Sequence, residues 1–485
     1  MRIAQGSVAL VLCLLASAVP GRAQTPTPAP TTPAPATPAP APTPATPPAT
    51  TGSTPAAPIP GNAAAAARVI GHALTQEEAI GIALETQPSI QARLSDYMAA
   101  AHRVDQALSP LLPQLIASGT ATRSQSALVT NRPPADRRGT PDPRGQATVT
   151  RLTDFSEDTT VGVTLSQVLF DFGKTFASTE AARRLAEQAQ EDVELQRQLV
   201  TLTVKESFIN INFARRLIRV QEQALERADL NLRSARGFFE VGTRPKSDVA
   251  RAEVDVANAR VDLIRARNAE RLARVALNTA MGIAADTATE VQDNLVFQAM
   301  ALDRTQLQSQ ALAQRPEYKQ ARLKVSEFDA RMRRAFRDFF PDVSASGFYG
   351  GTRADLNEIW EIGLTLSWSI FDGGNKIARL REAKANVDAS IARVKSTELD
   401  ISRDVEQAQL NVSEAQERIG AAQTAVASAQ ENFRLAQGRF DAGVGTILEL
   451  TDAQLFLTQA QNTEAQALAD YRIAVARLER AIGRR

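Results

Sequence analysis

Two histidines, His72 and His102, and one cysteine, Cys13, are the only imidazoles and thiol in this 485-residue chain. Neither a phosphate-cradling Gly-x-x-x-x-Gly-Lys-(Ser/Thr) loop nor a Gly-x-Ser-x-Gly nucleophile elbow occurs in it. No metal set and no nucleophile–base pair can be assembled from the spacings, and His102, in a helical stretch, reads as a surface residue. The expectation is a protein without enzyme activity, metal or cofactor. What remains to do chemistry is carboxylate. Glu449 and Asp452 stand three residues apart, which puts both on one face of a helix. At the start of a helix Glu449 complements the N-terminus, where an acid gains about 0.3–1 kcal/mol.

The N-terminal residues point to export. Met1-Arg2, an apolar stretch from Val8 to Val19, and Pro20-Gly21-Arg22-Ala23 form a secretion signal with cleavage expected after Ala23. The stretch is too short to span a bilayer. Cys13 lies inside it without a lipidation pattern ahead, so no lipid anchor is expected. Without Arg2 and Arg22 the 55 basic residues become 53, against 54 acidic ones. That balance disfavours a nucleic-acid partner, which calls for a basic surplus. Nowhere does an apolar run reach the length of a transmembrane helix, so a membrane could be crossed only by strands closed into a barrel.

Residues 24–62 hold 14 of the 25 prolines among Ala, Thr, Ser and Gly, and 24–70 reads as a disordered or polyproline-II tether. Beyond it the chain repeats once. Leu74-Thr75-Gln76-Glu77-Glu78 and Leu302-Asp303-Arg304-Thr305-Gln306 each open a helix with a capping box, the second an Asp variant, and the pattern breaks at Pro88 and Pro316. Phe170-Asp171-Phe172-Gly173 matches Phe371-Asp372-Gly373-Gly374, and Gly242 and Gly282 match Gly443 and Gly483. The offset drops from 228 to 201 between these matches, so the first copy carries 27 extra residues in a Pro-rich stretch between Pro113 and Phe170. An indel confined to such a stretch is what an exposed loop permits. The repeats are placed at 71–285 and 286–485, behind a signal at 1–23.

Each repeat contains a β-hairpin, expected at about 113–170 with a loop at 123–158, and at about 341–371. Trp360, Ile362, Leu364, Leu366, Trp368 and Ile370 alternate with Glu361, Gly363, Thr365, Ser367 and Ser369, and Val161, Val163 and Leu165 do the same. Trp360 and Trp368 would stand about 27 Å apart along a strand, close to the ~25 Å lipid-facing band once the strand tilts. A soluble sandwich alternates in the same way. Two copies give four strands, too few to close a barrel, so a barrel has to be shared among subunits.

Helical patterns follow each Phe-Asp-x-Gly. Lys174 to Phe238 holds no proline and only Gly237, and Asn375 to Phe440 holds only Gly420 and Gly438. Each would run about 98 Å. Seams are expected along Leu195, Leu199, Leu202 and Ile209, and along Leu468, Tyr471, Val475, Leu478 and Ile482. Surface acids such as Glu222 would pair with Arg219 or Arg227. Gly242 and Gly443 suit left-handed stops, and Pro245 the first turn of the returning helix.

In this order, and twice over, these motifs resemble the TolC family of outer-membrane efflux proteins across roughly residues 70–485. The resemblance implies a mainly α chain with a membrane β-barrel: two tandem helix–β-hairpin–helix repeats, four strands per subunit. A homotrimer would form a 12-strand barrel continued by a long periplasmic α-helical barrel. It implies a passive exit duct in the outer membrane, with a large periplasmic portion, serving tripartite efflux or type I secretion. A periplasmic adaptor and an inner-membrane transporter would be partners, with outer-membrane lipid around the barrel. The tips Val241-Gly242-Thr243 and Ala442-Gly443-Val444 would dock the adaptor. Glu449, Asp452 and Asp248 would line the constriction, and Trp360, Trp368 and Tyr349 the lipid interface. Phe440 and Gly445 stand where the family carries polar latching residues, which leaves Arg439 or Arg244 to hold the closed tip. The rival expectation is a periplasmic or surface coiled coil with no pore.

Overall fold

The computed structural model describes residue 69 and residues 71–132, 148–293, 295–300, 303–352 and 357–484. The expected signal and nearly all of the expected tether lie outside the described residues. The first copy runs β1 (Ala73–Leu74), α1 (Gln76–Thr86), α2 (Pro88–Leu108), β2 (Gln114–Arg132), β3 (Thr148–Phe170), α3 (Lys174–Glu240) and α4 (Lys246–Ala280). The second runs β4 (Glu290–Val291), α5 (Arg304–Gln314), α6 (Pro316–Arg337), β5 (Asp342–Thr352), β6 (Asn357–Ser367), α7 (Asn375–Asp441) and α8 (Ile447–Ala481). Both α3 and α7 are continuous over 67 residues, and α4 and α8 return over 35. No described helix is long and apolar enough to cross a membrane.

Local chemistry accounts for the element ends. Thr75 and Glu78 form the full capping box, each side chain taking the other's backbone N–H. Asp303 instead accepts from both Thr305 and Gln306 on one carboxylate oxygen, without the reciprocal bond. A carboxylate accepts two amides by itself, so the second start is capped from one side. At the first elbow Asp171 accepts the N–H of Gly173 at 2.9 Å and of Thr175 at 2.6 Å, which anchors the first turn of α3 to the strand end. Burial pushes the Asp171 carboxyl up, but the hydrogen bonds from Thr175 and Gly173 outweigh it and hold it below the usual carboxylate range. Asp372 repeats the elbow by accepting from the N–H of Lys376.

The four long strands form one antiparallel sheet in the order β2-β3-β5-β6. Pairing of β2 with β3 continues from Arg123↔Glu157 out to Arg132↔Thr148, so much of the stretch expected as loop at 123–158 is strand. Val129, Thr130, Val149 and Thr150 in that stretch are good strand formers. Ala117, Val163, Tyr349 and Trp360 make one row across the sheet, and Leu115, Leu165, Gly347 and Ile362 the next. On this face Trp360 is 70% and Ile362 81% exposed. On the other face the Phe348 ring lies over Gly162 and Gly350, and a Cβ at Gly162 would come within 2.5 Å of it. Among the described residues, β2 and β6 each pair on one side only.

Below the sheet the helices form a wall in which α2, α3, α6 and α7 are successive neighbours, α4 packs on α3, and α8 packs on both α7 and α3. The seam expected on α3 is mostly displaced: Ile209 is buried as expected, but Leu195, Leu199 and Leu202 are half-buried, while Val193, Val200, Val204, Phe208 and Ile211 are buried. A helix with neighbours on both sides has two packing stripes, and a single leucine period does not separate them. The second seam is as expected, with Leu468, Tyr471, Leu478 and Ile482 buried and Val475 packed against them.

Candidate functional site

Both long hairpins end in tight glycine turns. Gly242 (φ 76°) and Gly443 (φ 78°) take the left-handed conformation that an L side chain resists. Thr243 folds back on the end of α3, donating from both its amide and its hydroxyl to the Phe238 carbonyl. Its polarity therefore serves the turn. Pro245 does not enter α4; it sits just before it in extended conformation and leaves that helix without a side-chain cap. The second return helix is capped, by the Thr446 hydroxyl accepting from the Glu449 N–H. Val241 and Val444 project from the two turns at 71% and 72% exposure, and Gly242, Thr243, Ala442 and Gly443 are exposed beside them.

The three acids that the resemblance assigns to the constriction divide into two kinds. Glu449 and Asp452 lie in the first turns of α8 and are both exposed. Arg439 stands 3.7 Å from Glu449, an open contact at the surface that contributes little. Asp248 lies in the first turn of α4. Its side chain is 15% exposed and faces Arg244 at 3.7 Å.

Several cross-links between the hairpins carry no sequence signal. Arg244 of the first tip donates to the Gly445 carbonyl of the second at 2.7 Å and to the Phe440 carbonyl at 3.4 Å. Phe440 is fully buried with Ile447 and Leu450, and Phe238 packs edge-on against it. Farther along, Asn231 bonds Gln454, Gln454 bonds the Ala224 carbonyl, and Thr451 donates to Asp255. Glu222 pairs with Arg267 on the facing helix and not with Arg219, which turns to Asp293, or Arg227, which reaches Gln461. Arg267 and Gln461 lie on helices adjacent to α3, and Asp293 lies just past β4.

At the other end of the helices the aromatic residues separate into two levels. Tyr349 and Trp360 are register partners. Trp368 lies just past the end of β6, where its indole N–H donates to the Phe339 carbonyl. Near it Phe170, Phe172, Phe340 and Phe336 form a chain of ring contacts, and the last three line an apolar hollow of about 460 Å³. Sequence reasoning missed this cluster, although Phe170-Asp171-Phe172-Gly173 and Phe339-Phe340-Pro341 contain most of it.

Comparison with known proteins agrees with this architecture. The family described as outer membrane efflux protein matches over residues 79–283 and again over 307–484. The chain is 23% identical to nodulation protein T of Rhizobium leguminosarum bv. trifolii, over 70% of this chain and 74% of that protein. It is 26% identical to the alkaline protease secretion protein AprF of Pseudomonas aeruginosa, over 82% of each. The open-state structure of the Neisseria gonorrhoeae MtrE outer membrane channel superposes with a TM-score of 0.68 at 21% identity, covering 84% of this chain and 89% of that one. A coiled coil without a pore does not account for these matches or for the exposed apolar face of the sheet. The chain belongs to the outer membrane efflux protein family, as an exit duct of the outer membrane with a large periplasmic portion.

Proposed function

We propose that three copies of this chain join their sheets edge to edge into a 12-strand barrel, continued by a helical tunnel whose narrow end is formed by the tips. The observation that carries this reading is the sheet itself. Its outer strands each lack a neighbour on one side among the described residues, and one face is apolar and uncovered. In lipid an open strand edge leaves backbone groups unsatisfied, and four strands cannot close on themselves. Tyr349 and Trp360 would then lie at one lipid interface and Trp368 at the other, where amphipathic rings are favoured. Glu449 and Asp452 from three chains would bring six carboxylates to one constriction, a ring that favours cations; Asp248 would stand behind it. Val241, Gly242 and Thr243, with Ala442, Gly443 and Val444, would meet a periplasmic adaptor, which joins the duct to an inner-membrane transporter that supplies the energy.

Fractionation tests the reading. The protein should be found in the outer membrane as a trimer that resists detergent at room temperature and dissociates on heating. A soluble periplasmic monomer would contradict it.

A further inference from the structure

A hollow of about 630 Å³, lined by α2, α3, α6 and α7, lies at the end of the wall nearest the sheet. Its arginines come from three of those helices: Arg103 near the end of α2, Arg331 and Arg334 near the end of α6, and Arg379 near the start of α7. All four are exposed. Arg331 is held by Glu327 at 2.5 Å and stands 5.7 Å from the centroid of the Phe328 ring. Among the described residues, Arg103, Arg334 and Arg379 have neither an ion pair nor a side-chain hydrogen bond. Two carboxylates, Asp338 and Glu382, line the same hollow. Between these charges the surface is apolar, with Ala181, Ala182 and Leu185 of α3 beside Ala335 and Ala383.

This hollow and the aromatic one near Trp368 lie on opposite sides of the wall. Arg331, Arg334 and Ala335 share one stripe of α6, whereas Met332, Arg333 and Phe336, which line the aromatic hollow, come from the opposite stripe. The aromatic hollow belongs to the apolar side of the sheet. Phe170 is the register partner of Val343, which pairs with Leu366 on the face of Trp360 and Ile362. Ring contacts then lead from Phe170 through Phe172 to Phe340. The arginines therefore stand on the side that continues the other face of the sheet.

We propose that the arginine hollow binds organic anions that carry an apolar or aromatic body and several carboxylate, sulfonate or phosphate groups, and that it does so inside the duct, next to the barrel. The placement inside rests on the barrel reading above, which turns the apolar sheet face to lipid and the other face to the lumen. A guanidinium offers a planar fork of donors to an oxyanion and also stacks on an aromatic plane. The volume falls within the range of about 300–1,000 Å³ usual for small-molecule sites. Asp338 and Glu382 temper the positive field, so a small monovalent anion gains little there. A ligand is held by meeting several guanidiniums at once while its body covers the alanine surface.

The probe is pyrenetetrasulfonate, a water-soluble fluorescent aromatic anion. With the full-length protein in nonionic detergent, fluorescence anisotropy should show saturable binding that weakens as salt is added. Arg334→Gln with Arg379→Gln should weaken it about tenfold or more, the scale of losing hydrogen bonds to charged groups. Arg381→Gln with Lys384→Gln, which removes two exposed charges from the other side of α7, should leave binding as it is. In planar bilayers the same anion, added on the barrel side, should block the current through the parent and not through the Arg334–Arg379 double variant. Equal binding by the parent and that variant would overturn the site and leave the barrel reading standing. Arginine-dependent binding in detergent without block of a conducting channel from either side would overturn the placement inside the duct. A protein that forms no conducting channel would sink the barrel reading, and the lumenal placement with it.

Discussion

In the first copy Gly282, just past α4, lies against Thr86 and Gln87 at the corner between α1 and α2; in the second, Gly483 lies against Gln314 and Arg315 at the corner between α5 and α6. The backbone geometry is shared, with φ of 73° and 82° at the two glycines. The side-chain chemistry is not. The first corner is held by neutral bonds, from the Thr86 hydroxyl to the Ile82 and Met281 carbonyls and from the Gln87 amide to the Ala280 carbonyl. At the second, Arg315 is 5% exposed and bonded to Glu317 and Asp404. The cores behind them differ in the same sense. Leu74, Ile82, Phe208, Leu277 and Met281 fill the first, whereas much of the second is alanine, including Ala311, Ala408, Ala415 and Ala467. Duplication preserved the backbone contact, and the copy with smaller core side chains holds its corner with charge. The tips repeat the division of labour: the first contributes the cation Arg244, the second the carbonyls that receive it and the two exposed acids.

The largest expected difference between the corners comes from removing the buried charge. Arg315→Met removes the charged hydrogen bonds to Glu317 and Asp404, which keep only Arg480 and Arg403 beside them, and should cost about 2–3 kcal/mol. Gln87→Met should cost about 1 kcal/mol, the worth of one neutral hydrogen bond. Protection of the α5–α6 and α1–α2 segments against hydrogen exchange reads the two losses separately, and equal losses would break the comparison. Substituting the glycines tests what the corners share. Gly483→Val and Gly282→Val both force a branched side chain into a left-handed, closely packed position, and each should lower stability by about 2–4 kcal/mol. A much smaller effect in either copy would show that its glycine contact is incidental.

Acid should act on the second corner through Glu317. Burial pushes its carboxyl up, but the hydrogen bond and charge of Arg315 outweigh this and hold it below its ordinary value of 4.5. A carboxyl depressed in the folded state contributes its full stabilisation above that ordinary value and loses it as pH falls through the folded one. Melting temperature should therefore drop below about pH 4.5 in the parent and less steeply in Glu317→Gln; parallel curves would remove Glu317 from the account. The smallest effect is expected at the tips. Thr446→Ala removes the cap of α8 and should cost about 1 kcal/mol of local stability, while Pro245→Ala removes no capping bond and should cost less. Exchange rates over residues 446–450 and 245–249 compare them.

How much of this can be read from the chain depends on the range of the interaction. The hairpins, elbows and glycine stops are local patterns: Trp360 to Leu366 alternates, Asp171 caps the turn four residues ahead, and Gly242 and Gly443 stop their helices. That Glu449 and Asp452 share a helix face is legible for the same reason. The buried stripe of α3 is not, because that helix packs on two sides and Val200, Val204 and Phe208 compete with the leucines as a seam. Nor is the orientation of Asp248, which depends on Arg244 turning inward to meet a carbonyl of the other copy. Spacing places a residue on a face; only the packed neighbour decides what that face meets.

Reversal potentials across a planar bilayer with a salt gradient test the central claim most directly. If the duct narrows at the tips, the parent protein should be cation-selective, and Glu449→Gln with Asp452→Asn should largely abolish that preference while trimers still insert. An unselective parent, or a double variant with the parent's reversal potential, would contradict the account.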